Sequence, residues 1–250
     1  MKQNKIYIYG KHAVTEAIRN RPEAVKKVYI SSHINDTQLR ELIRKTNIPS
    51  VSLEGNKSTR DIEESASHQG VIGVVSLKEL MLPYKEFISS LSIGRDTALV
   101  LLDELQDPHN VGAVVRSAAA FGIGGILIPE HNQAPITGAV IKVSAGMAFR
   151  VPIISIGNVN QVMRDLKERG FWIYGLEGKG EKSVTNEKFD TPTVFVLGNE
   201  SKGIRLKTRE LCDILLSIPT NPKCESLNAA ASAAVAFYAW SAQHQEVLEE

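Results

Sequence analysis

Cysteine is scarce: there are two in 250 residues, Cys212 and Cys224, without CxxC spacing. That excludes a disulfide framework and fits a reducing compartment. No metal site is expected. Long apolar runs are also missing. Stretches such as Thr97–Leu102 fall far short of the roughly 20 residues a membrane helix needs. The opening MKQNKIYIYGK is charged but lacks an apolar stretch long enough for a signal peptide. Both absences point to a cytoplasmic protein. Net charge is missing as well: 29 Lys and Arg stand against 28 Asp and Glu, a balance of +1. Taken whole, that argues against a strongly nucleic-acid-seeking chain, because counterion release needs many cations.

What is present is an ordinary globular composition, 43% hydrophobic and 23% charged, in a chain long enough to bury a real core. The charge is unevenly divided. Residues 1–80 hold 13 Lys and Arg and 9 Asp and Glu, a net of +4, and the remainder is −3. The plain reading is counting noise. The functional reading is a first domain that meets a polyanion.

Hydrophobic spacing gives an α/β series. Residues 1–77 read as a small α/β domain: strands at Ile6–Tyr9, Lys27–Ser31 and Val71–Leu77, helices at His12–Asn20 and Gln38–Thr46. Residues 78–95, with Pro83 and Gly94, read as a linker with a helical turn or two. Residues 96–250 read as a richer domain. Its strands are Ala98–Leu102, Gly125–Ile128, Ile153–Ser155, Trp172–Gly175, Thr193–Leu197 and Ile214–Ser217. Its helices are Val111–Phe121, Val159–Arg169 and Leu227–Gln243. Strands separated by helices imply a mostly parallel sheet covered on both faces.

Three strand-end stretches carry polar residues that could do chemistry. In the first, Asn110 sits where a helix N-cap belongs, and Arg116 is the one cation in a helix of small residues. Asn110 as a simple cap is a strong plain reading. Arg116 as a solvent-facing cation is a weaker one. The GIGG at 122–125 is not a dinucleotide fingerprint, because it follows a helix and precedes a strand; it reads as a helix C-cap and turn. In the second, a strand runs into Gly198-Asn-Glu200-Ser-Lys202-Gly203. A phosphate-cradling loop needs Gly-Lys-Ser/Thr opening a helix, so an NTPase is unsupported. In the third, Ser226 is placed to cap an Ala-rich helix, and the plain reading of Ser226 and Asn228, each taken singly, is an N-terminal cap. Carboxyl ends of parallel strands form one rim where ligands bind, so Asn110, Arg116, Glu200, Ser226 and Asn228 make one site hypothesis.

HNVGAVVRSA (109–118), LGNESKGI (197–204) and SIPTNPKCESLNAAASAA (217–234), in that order, resemble the SpoU/TrmH family of RNA ribose 2′-O-methyltransferases in the SPOUT superfamily. Within it, the resemblance points to the bacterial 23S rRNA guanosine 2′-O-methyltransferases. IYGKHAVTEAI (8–18) and HQGVIGVV (68–75) resemble the small L30e-like RNA-binding domain of several members. The likeness thus covers nearly the whole chain. One departure is SAGMAFRVP (144–152), where Phe149 and Arg150 stand in place of the carboxylate and His that members often show.

The resemblance implies a catalytic domain whose C-terminal segment forms a deep trefoil knot, against general topological expectation. It implies S-adenosylmethionine as cofactor, held at Leu197, Gly198, Ile218, Leu227, Asn228 and Gly175. It implies a homodimer packed through the knotted region and an RNA substrate. Arg116 is the residue at the ribose hydroxyl, with Asn110 and Glu200 positioning it or the substrate, and with Ser226 and Asn228 shaping the knot loop. Guanidinium rarely loses its proton, so holding phosphate or a developing alkoxide is the physically easier role. Two alternatives stand beside this reading: a tRNA ribose 2′-O-methyltransferase, and a non-catalytic RNA-binding or ribosome-assembly protein of the same fold.

Overall fold

The structure, a computed structural model, describes residues 4–53 and 69–249. His68, the first residue of the HQGVIGVV motif, lies outside the described residues. The chain opens with β1 (Lys5–Tyr9), α1 (Lys11–Asn20), β2 (Val25–Ile30), α2 (Thr37–Lys45), β3 (Ser50–Ser52) and β4 (Val71–Ser76). There follow α3 (Leu77–Leu80), β5 (Met81–Pro83), α4 (Tyr84–Ser90), β6 (Ala98–Asp103), α5 (Pro108–Ala120) and β7 (Gly125–Pro129). Next come α6 (Gly138–Val143), β8 (Ile153–Ile156), α7 (Val159–Glu168), β9 (Trp172–Leu176) and β10 (Lys182–Ser183). The last elements are β11 (Thr193–Gly198), α8 (Leu206–Arg209), β12 (Ile214–Ser217) and α9 (Ala229–Ser241).

The chain divides into two compact units, one of residues up to Met81 with 136–150, the other of 82–135 with 151 onward. The first holds a four-stranded sheet in the order β1-β4-β2-β3, with β4 antiparallel to both neighbours. Strand alternation explains its layers. Ile6 and Ile8 are buried together with Val14 and Ile18 of α1. Tyr7 and Tyr9 point the other way and join Tyr29, Ile72 and Val74 in a second cluster. α6 lies along β1 there. A Cβ on Gly138 would stand 2.3 Å from the Tyr7 carbonyl oxygen, so glycine permits the approach. Arg150 Nε donates to Glu16 Oε2 at 2.7 Å, and this bond holds the buried Glu16 carboxyl below its usual range. Residues 136–150 therefore complete the first unit, whereas the sequence reading ran the second domain unbroken from 96. The tyrosine face needs a cover that comes from far along the chain, and periodicity carries no such information.

The second unit is built on an eight-stranded sheet, ordered β10-β12-β9-β11-β6-β7-β8-β5. β6, β7, β8, β9, β11 and β12 pair in parallel. Leu99, Leu101, Val194 and Val196 meet Phe87 of α4 and Val162, Met163 and Leu166 of α7 on one face. The alternating residues serve the other face, where Phe195 packs on Phe237 of α9 with ring centroids 5.5 Å apart. α9 also packs on α5. α5 ends at Gly122, whose φ of 69° is the left-handed turn expected of GIGG. The segment 78–95, expected to be a linker, contains α3, β5 and α4. Phe87 and Ile88 are buried there, and Tyr84 Oη donates to Asp165 Oδ2 at 2.5 Å. Proline and mixed polarity concealed an apolar pair long enough only for a short helix.

Candidate active site

The site is assembled where β6, β11 and β12 end. β6 passes into 104–107, and Asp107 caps α5 by accepting from His109 N–H at 2.8 Å. Pro108 opens the helix, where a missing N–H costs nothing. Asn110 is therefore not the cap. It lies inside the first turn, 8% exposed, with its amide free to bond laterally. β11 passes into the loop 199–205, folded on itself by reciprocal Asn199 and Gly203 backbone bonds of 3.0 and 2.9 Å. The Asn199 Oδ1 accepts from Ser201 and Lys202 N–H, closing a side-chain turn. β12 passes into 218–228, which ends at α9. Asn228, not Ser226, is the cap there: its Oδ1 accepts from Ala230 and Ala231 N–H at 2.9 and 3.2 Å.

One chain of hydrogen bonds joins the three loops. Glu200 Oε1 accepts from Asn110 Nδ2 at 3.0 Å and from Asp107 N–H at 3.1 Å. Glu200 Oε2 accepts from Gln106 N–H at 3.2 Å. Asn110 Oδ1 accepts from Asn228 Nδ2 at 2.9 Å. Burial pushes the Glu200 carboxyl up, but the bonds from Asn110 and the backbone outweigh it and hold the group below its usual range. Glu200 is an ionised anchor near the N-terminus of α5, where negative charge is favoured.

Beside this chain lies a cleft. Leu176, Leu197, Leu216, Ile218 and Leu227 give it aliphatic walls. Gly178, Gly198 and Gly203 bring main chain to its lining. A Cβ on Gly178 or Gly203 would meet nothing within 4 Å. A Cβ on Gly198 would stand 2.3 Å from Gly203 C and Ile204 N, so only glycine lets the loop fold back onto the end of β11.

Residues 97–238 match the SpoU rRNA Methylase family. The chain belongs to that family. Residues 7–81 match the family described as RNA 2′-O ribose methyltransferase substrate binding. Among similar proteins is the 23S rRNA (guanosine-2′-O-)-methyltransferase RlmB of Nitrosomonas europaea, 31% identical over 96% of this chain and 92% of that one. The protein of the same name from Neisseria meningitidis is 34% identical over 92% of each chain. Among solved structures, the SpoU methyltransferase AviRb from Streptomyces viridochromogenes, in complex with AdoMet, superposes with a TM-score of 0.82 at 24% identity. That superposition covers 97% of this chain and 91% of that one.

In this SpoU chain the residues expected from sequence fall into three groups. Leu197, Gly198, Ile218 and Leu227 line the cleft, as do Glu200 and Ser226. Asn110 and Asn228 stand in the hydrogen-bonded chain beside it. Gly175 and Arg116 lie apart. Gly175 is inside β9, where a Cβ would stand 2.8–3.0 Å from Leu215, Ile204 and Cys212; its lack of a side chain serves the core. Arg116 is exposed, and no ion pair holds it among the described residues. It is six positions from Asn110, which at 3.6 residues per turn is about 1.7 turns along the helix and about 120° round its face. Glu200, expected to orient Arg116 or the substrate, bonds Asn110 and the 106–107 backbone. Missed by the sequence reading are Asp107, Asn199 and the pair Asp103–Arg205. Asp103 had a visible signal: it is the one charge in the otherwise apolar strand ALVLLD, and it is fully buried.

The lining fits S-adenosylmethionine. Aliphatic side chains at three strand ends suit a purine ring, and exposed main chain at glycines suits its polar edges. No group of metal-ligating side chains occurs among the described residues.

Proposed function

We propose that the chain methylates a ribose 2′-hydroxyl of RNA, that of a guanosine in 23S rRNA, with S-adenosylmethionine as methyl donor. The observation that carries this is the Glu200–Asn110–Asn228 chain, which ties three strand-end loops around one aliphatic cleft in a chain of the SpoU family. Relatives of 31–34% identity across both units carry the 23S rRNA guanosine name.

The bound cofactor supplies a methyl group already activated on a sulfonium sulfur. The protein has to hold the ribose in line, exclude water and help a weakly acidic hydroxyl lose its proton. Leu197, Gly198, Ile218 and Leu227 hold the cofactor, with Asn228 fixing the end of their loop. Glu200, already ionised, fixes the loop 199–205 to α5 through Asn110. Arg116, exposed and unpaired, binds the RNA phosphate and stabilises negative charge growing on the 2′-oxygen. Ser226 faces the cleft and supplies a hydroxyl to the substrate or cofactor.

The same reading gives a homodimer and a knot. α9 exposes Ala231, Val235, Tyr238 and Ala242, spaced four, three and four apart on one face, with Tyr238 61% exposed. Tyr238 meets Phe121 edge-on at 5.9 Å. A second copy on this apolar stripe would also bring α5, with Arg116, to the interface. The knot is supported by the chain's path. It leaves β12, which lies beyond β9, and returns to Asn110 through Asn228. A Cβ on Gly180 would stand 2.5–2.7 Å from the backbone at Leu216 and Ser217, so the 177–182 segment is drawn tight against it. With ribosomal RNA as substrate, we place the protein in the cytoplasm. The basic first unit, expected from sequence as 1–77, is its RNA-binding domain, and the second, expected as 96–250 and here without 136–150, the catalytic one.

Calorimetry with S-adenosylmethionine tests this reading. Stoichiometric binding is expected, and its loss in Leu227→Arg. No binding by the wild-type protein favours the non-catalytic alternative.

A further inference from the structure

We propose that Asp103 and Arg205 are positioning residues for methyl transfer, setting the loop 199–204 and through it the cofactor cleft. The inference rests on the functional reading above and adds to it a pair outside the three polar sets that define the site.

Asp103 ends β6 directly opposite Gly198, the last residue of β11. Its carboxylate is wholly buried. It accepts from Arg205 Nε at 2.9 Å and Nη2 at 2.5 Å, both on Oδ1, and from Arg205 N–H at 3.0 Å on Oδ2. The carboxylate hydrogen bond raises the Arg205 pKa further above its ordinary value. Arg205 Nη1 also lies 3.2 Å from Glu104 Oε1. A buried charge is costly unless paired and hydrogen-bonded, and this one is satisfied by a single partner. Arg205 is the residue at which the loop 199–204 leaves the cleft. Asp103 thus grips the far end of that loop by side chain and main chain together.

The near end is gripped as well. Asn199 Nδ2 donates to Glu104 O at 2.9 Å, and Glu104 holds a φ of 67°, unusual for a residue with a Cβ. Between the two grips lies Glu200, whose carboxylate accepts from Gln106 and Asp107 N–H. The loops 104–107 and 199–205 are therefore fastened at three places, and Asp103–Arg205 is the one charged, buried fastening. Releasing it frees Gly203 and Ile204 to move off Gly198, where their backbone atoms stand 2.3 Å from the place a Cβ would take. Gly198, Glu200 and Gly203 all line the cleft, so its walls shift with them.

The test compares Arg205→Met, Arg205→Lys and the control Arg169→Met. Arg169 pairs with Asp165 on α7 and touches no cleft residue. Each purified full-length variant is measured for S-adenosylmethionine affinity by calorimetry, for KM and kcat on a 23S rRNA transcript, and for Tm. Arg205→Met is expected to weaken S-adenosylmethionine binding tenfold or more and to raise its KM in step, with RNA affinity unchanged. Arg205→Lys, which keeps the charge but loses the fork, is expected to recover part of that loss. Arg169→Met is expected to keep wild-type KM even if its Tm falls as far. Wild-type affinity in Arg205→Met overturns the proposal. So does a loss that Arg205→Lys fails to recover and that Arg169→Met shares. If Arg205→Met does not fold, Arg205→Lys decides alone: unchanged KM refutes and raised KM supports. A wild-type protein that binds no S-adenosylmethionine overturns the functional reading itself, and the positioning role with it.

Discussion

Asn110→Ala cuts the link between the three loops at its centre. Two hydrogen bonds disappear, one to Glu200 at 3.0 Å and one from Asn228 at 2.9 Å. A bond to a charged partner contributes about 1.5–3 kcal/mol when buried, and a neutral one about 1. Glu200 and Asn228 are both exposed, so water replaces much of what each loses and the sum falls to about 1–2 kcal/mol. Glu200 also keeps its bonds from Gln106 and Asp107 N–H. For a chain of this size such a loss lowers Tm by about 3–6 °C. A domain stable by about 5–15 kcal/mol stays folded at 25 °C after it. Any fall in activity then reports geometry and not unfolding. The expected fall in kcat/KM is about 100-fold, because the substitution unties the α5 turn from Asn228 and removes its side-chain bond to Glu200. Thermal unfolding and initial-rate methylation of a 23S rRNA transcript give the two numbers on one preparation. Asn110→Ala with more than half of wild-type kcat/KM would refute the linkage, whatever its Tm.

Arg116→Ala is expected to abolish methyl transfer while leaving S-adenosylmethionine affinity within twofold, since Arg116 lies outside the cleft lining; wild-type rates in that variant would remove Arg116 from the site. Tyr238→Glu places a charge on the exposed stripe of α9 and is expected to halve the molar mass seen by sedimentation; an unchanged mass would remove that face from the dimer. Glu200 gives a pH signature. Its folded pKa is lowered from an ordinary value of 4.5, so its contribution is complete above that value and is lost as pH falls below it. Glu200→Gln should therefore flatten the acid limb of the stability curve below pH 4.5; an unchanged limb would place the acid sensitivity elsewhere. RNA binding should weaken steeply with salt if the net of +4 on residues 1–80 meets phosphate, and a flat salt dependence would return the charge split to counting noise.

Six of this sheet's eight strands were legible because they are apolar runs of four to six residues set between turns, and Ile214–Ser217 matches β12 residue for residue, whereas β5 and β10, of three and two residues, were not read. The five helices read from the sequence match α1, α2, α5, α7 and α9 to within three residues, α6 and α8 were not read, and of the caps of α5 and α9 only Asn228 was among the candidates. Asn110, Ser226 and Asn228 all sat in plausible cap positions, yet Asp107 caps α5 and, of the other two, only Asn228 caps α9. Any Asn, Asp or Ser near a helix start competes for the cap, and the winner depends on where the preceding strand ends. Glu200 was singled out for a rim role, orienting Arg116 or the substrate, and in the structure its hydrogen bonds come from Asn110 and the backbone of Gln106 and Asp107. An Arg seemed the natural partner for a carboxylate, while the backbone N–H groups that Glu200 uses leave no trace in sequence. The placement of 136–150 in the first unit, and the grip of Asp103 on Arg205, are long-range packing facts. They follow from which strand ends lie side by side, and hydrophobic period carries only local information.

The central claim is methyl transfer to one ribose in ribosomal RNA. The most direct measurement incubates the full-length protein with labelled S-adenosylmethionine and unmodified 23S rRNA, with tRNA in a parallel reaction, and maps the product at nucleotide resolution. The account predicts a single 2′-O-methylguanosine in 23S rRNA and no label in tRNA. Label on a base, label in tRNA alone, or no transfer to either RNA would contradict it.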